Sequence, residues 1–85
     1  MSNYIIINWL WYPKRKCYRL YIQEYSKRDE KGYLPFETKI VEVPEKNLLK
    51  LGIKIDTLMN IIQDYYQNYK DLKIALNALY DYLDL

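Results

Sequence analysis

YIIINWLWY at 4–12, PKRK at 13–16 and CYRLYIQEY at 17–25 decide the fold of this chain. The two nine-residue runs are dense in β-branched and aromatic side chains, and four turn-forming residues separate them, which is the signature of an antiparallel β-hairpin. Pairing Tyr12 with Cys17 fixes the register. One face then carries Trp11/Tyr18, Trp9/Leu20 and Ile7/Ile22, with Ile5/Glu24 at its end, and is the expected core face. The opposite face carries Tyr12/Cys17, Leu10/Arg19, Asn8/Tyr21, Ile6/Gln23 and Tyr4/Tyr25. Rings, amides and a guanidinium in that density are more than plain solvent exposure requires, so this outer face is the first functional lead.

Working outward, a charged segment from Ser26 to Gly32 leads to a third strand near Phe36 to Val43, bounded by Pro35 and Pro44. Period two leaves its inward set open: either Phe36 and Ile40, or Val41 and Val43. Glu45 to Leu51 reads as a short helix, with Gly52 placed as a left-handed C-cap and Ile53 as its hydrophobic contact.

Asp56 reads as an N-cap, and apolar residues follow at 58, 62, 65, 69, 72, 76, 79 and 83, in alternating steps of four and three. That spacing predicts an amphipathic helix over 57–84. An unbroken helix of that length runs to about 40 Å, more than a domain with a radius of gyration of about 12 Å can cover. Two solutions are open. The helix is continuous and dimerises through Leu72, Leu76, Leu79 and Leu83, or it breaks near Asn68, with Asn68 as a cap and Asp71 three residues on. The continuous helix is favoured, because neither Gly nor Pro interrupts the pattern.

The expected fold is therefore α+β: a single domain over 1–85, with a three-stranded antiparallel sheet over 4–43, a short helix over 45–51, and a long C-terminal helix packed on the sheet. At 85 residues and 10.5 kDa, with 51% hydrophobic and 28% charged residues, the composition is that of a folded chain.

The inventory excludes much chemistry. There is no His, so neither a Ser-His-Asp nor a Cys-His arrangement can be assembled. The one cysteine, Cys17, cannot supply a zinc site or close an internal disulfide; it reads as a small strand residue, which fits a reducing compartment, or an oxidising one where it pairs between chains. Asp29 with Glu37-Thr38-Lys39 matches the end of a metal-dependent nuclease signature, but that fold needs a larger core. A helix-turn-helix reading of Leu48 to Leu58 fails on charge, since Asn60, Gln63, Asp64 and Gln67 would face the phosphates. No enzyme, cofactor or metal is expected. The longest uncharged apolar run, Tyr4 to Tyr12, is about half a membrane span, so a cytoplasmic location is expected, in the host's cytoplasm for a viral protein.

Charge is uneven. Residues 1–54 hold eleven basic and six acidic side chains, and residues 55–85 hold two and five. Eleven tyrosines add large rings with a polar end, which suit interfaces. The leading expectation is a small non-enzymatic interaction protein that binds and modulates or inhibits another macromolecule through Tyr4, Tyr12, Arg19, Tyr21 and Tyr25 and the acidic helix. The A/T-rich character of the composition, rich in Ile, Lys, Asn and Tyr, fits a viral or mobile-element protein acting on host machinery. The alternative is DNA or RNA binding, with Lys14, Arg15, Lys16, Arg19, Lys27 and Arg28 on phosphates and the tyrosines stacked on bases. A third reading has the tyrosine-rich face buried against its own copy.

Overall fold

The computed structural model describes residues 3–26 and 35–85. The order is three strands, β1 (Asn3–Tyr12), β2 (Cys17–Ser26) and β3 (Glu37–Pro44), followed by three helices, α1 (Glu45–Leu51), α2 (Ile55–Tyr69) and α3 (Leu72–Leu83). The fold is α+β, as the sequence implied. Contacts cluster into two compact units, Met1–Val43 and Pro44–Leu85.

In the first unit the strands form one antiparallel sheet in the order β1-β2-β3. The hairpin register runs unbroken from Asn3↔Ser26 to Tyr12↔Cys17 and includes each pair read from the sequence. Pro13 to Lys16 close it through a bond from the Lys16 N–H to the Pro13 carbonyl (3.2 Å), with Lys16 at φ 47°. One face buries Ile5, Leu20, Ile22 and Glu24, joined by Val41 and Val43 from β3. The open choice on β3 is thus settled for the valines, and Phe36 and Ile40 are exposed. On the core-side face Trp9 stays partly open, with Tyr18 edge-on to it at 5.4 Å and Trp11 tilted against Tyr18 at 4.7 Å.

In the second unit α1 ends as expected. Gly52 adopts φ 69°, its N–H reaches the Leu49 carbonyl at 3.1 Å, and the Ile53 N–H reaches the Leu48 carbonyl at 3.1 Å, which satisfies two carbonyls at the helix end. The next helix begins earlier than the sequence suggested. Lys54 is the N-cap position and makes no side-chain cap bond, since an ammonium group has no acceptor to offer a helix N–H; Ile55 is buried, and Asp56 sits inside the first turn, where its charge suits the helix dipole.

The continuous helix over 57–84 is not what forms. Lys70, at φ 56°, ends α2 with its N–H on the Tyr66 carbonyl (2.7 Å), and the Asp71 carboxylate caps α3 by accepting from the Ile74 N–H (3.0 Å). The break follows the alternative reading but falls two residues later, with Asp71 and not Asn68 as the cap. Its physical reason is burial: two shorter helices fold onto each other and enclose the stripe that one long helix leaves open. Leu58, Ile62 and Tyr66 of α2 and Leu72, Ala75, Leu76, Leu79 and Leu83 of α3 are all buried, and α2 packs with α3. Asn47 of α1 donates through Nδ2 to the Leu83 carbonyl at 2.7 Å, tying α1 to the end of α3.

The break leaves a lysine in a conformation that suits glycine. Lys70→Gly relieves a left-handed penalty of about 1 kcal/mol, so the variant is expected to unfold a few degrees above the parent in a thermal melt followed by far-UV circular dichroism. A lower melting temperature would mean that the Lys70 side chain holds the α2–α3 connection by contacts of its own.

Candidate functional site

On the sheet face opposite Leu20, Ile22, Val41 and Val43, β1 contributes Tyr4, Ile6, Asn8, Leu10 and Tyr12, β2 contributes Cys17, Arg19, Tyr21, Gln23 and Tyr25, and β3 contributes Thr38, Ile40 and Glu42. Alternation along each strand puts them there. The partner-binding residues expected from sequence all lie on this face.

A polar network occupies the end near the hairpin turn. Arg19 Nη2 donates to Glu42 Oε1 at 2.8 Å, and Arg15 Nη2 donates to Glu42 Oε2 at 2.7 Å, so one carboxylate holds two guanidiniums. The Arg19 guanidinium carbon sits 4.6 Å from the centroid of the Tyr12 ring, a cation–π geometry. Tyr12 and Tyr21 share a long hydroxyl–hydroxyl hydrogen bond of 3.4 Å. At the other end Tyr4 and Tyr25 stack at 5.3 Å with planes 13° apart, and the Tyr25 hydroxyl donates to Gln23 Oε1 at 3.4 Å. Cys17 is buried and is not a reactive surface thiol.

The electrostatics follow from these contacts. The hydrogen bond from Arg19, with the Arg15 charge beside it, holds the Glu42 carboxyl below its ordinary value, and the same bond raises Arg19 further. The bond to Tyr21 lifts Tyr12, while that bond and the Arg19 guanidinium pull Tyr21 down. Because the folded-state value of Glu42 is depressed, its contribution to stability is present above the ordinary carboxylate value of 4.5 and is lost as pH falls through the depressed one. Melting temperatures of the parent and Glu42→Gln, compared from about pH 7 down to about pH 3, are expected to converge at the acid end; a constant gap would assign the effect to packing.

Around this network the face is apolar: Leu10 (53% exposed) and Ile40 (57%) flank it, with Ile6 further along β1. Sequence reasoning missed Glu42. Part of the signal was available, since choosing Val41 and Val43 as the inward pair places Glu42 on the same outer face as Arg19, but period two did not make that choice.

The alternative set for nucleic acid is not brought together as one patch. Lys14, Arg15 and Lys16 are exposed at the hairpin turn, Arg15 and Arg19 both face Glu42, and Lys27 and Arg28 lie outside the described residues, as do Asp29 and Glu30. Of the nuclease-like triplet, Glu37 and Lys39 pair with each other at 3.3 Å, and among the described residues no group of acidic or Cys side chains is placed to hold a metal ion. The expected dimer seam is consumed within the chain. Leu72, Leu76, Leu79 and Leu83 are buried in a single copy, so the overhang that a helix-mediated dimer was to cover does not exist. Asp64, Asp71, Asp81 and Asp84 are exposed. Among the described residues no helix is long and apolar enough to cross a membrane.

No protein-family model, no curated protein and no solved structure matches this chain.

Proposed function

We propose that this chain is a small non-enzymatic interaction protein that docks on another protein through the outer face of its sheet and modulates that partner. The observation that carries the reading is the pairing of Arg15 and Arg19 with a single carboxylate, Glu42. Cations kept for phosphates do better without an acidic neighbour, whereas an arginine anchored by a carboxylate and laid on a tyrosine ring is a preorganised contact of the kind found at protein interfaces. The stacked Tyr4 and Tyr25 already satisfy each other, so a nucleic-acid base would have to displace one ring. Leu10, Ile6 and Ile40 supply the area to be desolvated around the Arg19–Glu42 centre. The partner this chemistry fits presents hydrogen-bonding groups that meet Arg19 and Glu42 at the centre, set within an apolar patch that covers Leu10, Ile6 and Ile40.

A photo-crosslinking side chain placed at Ile40 is expected to give a discrete covalent adduct with a protein in cells. That adduct should be lost on Tyr21→Ala or Leu10→Ser and kept on Lys14→Glu. Anisotropy titrations with labelled DNA and RNA across a salt series should stay flat. Binding that falls steeply with salt and vanishes in the Lys14→Glu, Arg15→Glu, Arg19→Glu variant overturns the proposal in favour of nucleic-acid binding.

A further inference from the structure

The two edges of the sheet are built differently. An open strand edge offers unpaired backbone N–H and C=O groups to any passing strand, and proteins ordinarily blunt it with charges, prolines or bulges. The β3 edge carries these defences: Glu37, Lys39 and Glu42 lie along it, Pro44 ends it and Pro35 precedes it. The β1 edge carries none. From Asn3 to Tyr12 there is no charged residue and no proline, and the unbroken register against β2 excludes a bulge. Along that edge Ile6, Trp9 and Leu10 are exposed, and they point to both faces.

We infer that β1 pairs antiparallel with β1 of a second copy about a two-fold axis at Asn8, joining two three-stranded sheets into one of six strands. Antiparallel pairing by a two-fold axis keeps each face continuous, so directly opposed residues must come from the same face of the strand. Centring the axis on Asn8 sets Ile6 opposite Leu10, Tyr4 opposite Tyr12 and Ile7 opposite Trp9. Each is an apolar or aromatic cross-strand pair of the kind that stabilises sheets. At the axis the two Asn8 amides meet, and an amide carries both donor and acceptor, so it complements its own copy. A foreign strand finds no charge on β1 by which to be selected, whereas the strand's own copy answers each of these exposed side chains. The inference stands apart from what the outer face binds.

Sedimentation equilibrium of the full chain over a wide concentration range tests it. The parent should approach twice its 10.5 kDa mass at the upper end. Asn8→Lys places two ammonium groups directly opposite each other, and should raise the dimer dissociation constant by at least about tenfold while leaving the circular dichroism spectrum unchanged. Asn8→Cys in a Cys17→Ala background should form an intermolecular disulfide under mild oxidation, and Thr38→Cys in the same background should not. A parent that stays monomeric throughout, or a dimer indifferent to Asn8→Lys, overturns the inference; a dimer lost instead in Ile40→Lys places the contact on the outer face and overturns it equally.

Discussion

Leu79→Ala is expected to remove about 2–5 kcal/mol of stability, a large part of the roughly 5–15 kcal/mol that a domain has in total. Leu79 is fully buried in α3, in the contact that the folded-back helices make with each other. Truncation there deletes three carbon atoms from a site that α2 and α3 cannot close without shifting. The loss is the transfer energy of those atoms plus the cavity left behind. Urea unfolding followed by far-UV circular dichroism reads it as a lower midpoint with an unchanged slope. Leu49→Ala is the control: Leu49 is 71% exposed on α1, and its truncation should stay within about 0.5 kcal/mol. If the two variants unfold together, the packing assigned to α3 is wrong.

The second large effect is expected in the sheet. Leu20 lies opposite Trp9 on the central strand, fully buried, with Ile22 two residues on along the same face. Leu20→Ala should again cost about 2–5 kcal/mol. Both tryptophans, Trp9 and Trp11, lie on β1, so their fluorescence reports unfolding of the sheet. A midpoint by fluorescence that does not move on Leu20→Ala would mean that the core face has been assigned to the wrong side of the hairpin.

The hairpin was legible because two kinds of information agreed there. Strand propensity marked Tyr4–Tyr12 and Cys17–Tyr25, and the four-residue turn left a register that set Leu20 and Ile22 on one face. The α1 terminus was legible for a similar reason, since Gly52 is a residue whose backbone freedom the turn uses. The α2–α3 break was harder. Steps of three and four run through it undisturbed, and the residue that makes the turn is Lys70, which carries no local signal for a left-handed conformation. Only Asn68 with Asp71 three residues on hinted at it, and the residue that caps is Asp71, an aspartate that on a helix surface reads equally well as a solvated charge. On the candidate site, the pairing of Tyr12, Arg19 and Tyr21 followed from register alone. Glu42 did not, because it comes from a strand whose facing was undetermined until Val41 and Val43 were seen buried.

The strand order β1-β2-β3 also bears on how the chain is made. Each strand lies beside its neighbour in sequence, and the helices α2 and α3 are likewise consecutive. Pairing elements that are neighbours in sequence costs little closure entropy, so neither unit waits for a distant segment before its first contacts form. On the ribosome, β1 and β2 can zip together and take up β3 as each emerges, before the helices of Pro44–Leu85 have been synthesised. The uncharged β1 strand, the segment most prone to stray pairing, is thus given its partner β2 after a delay of only four residues.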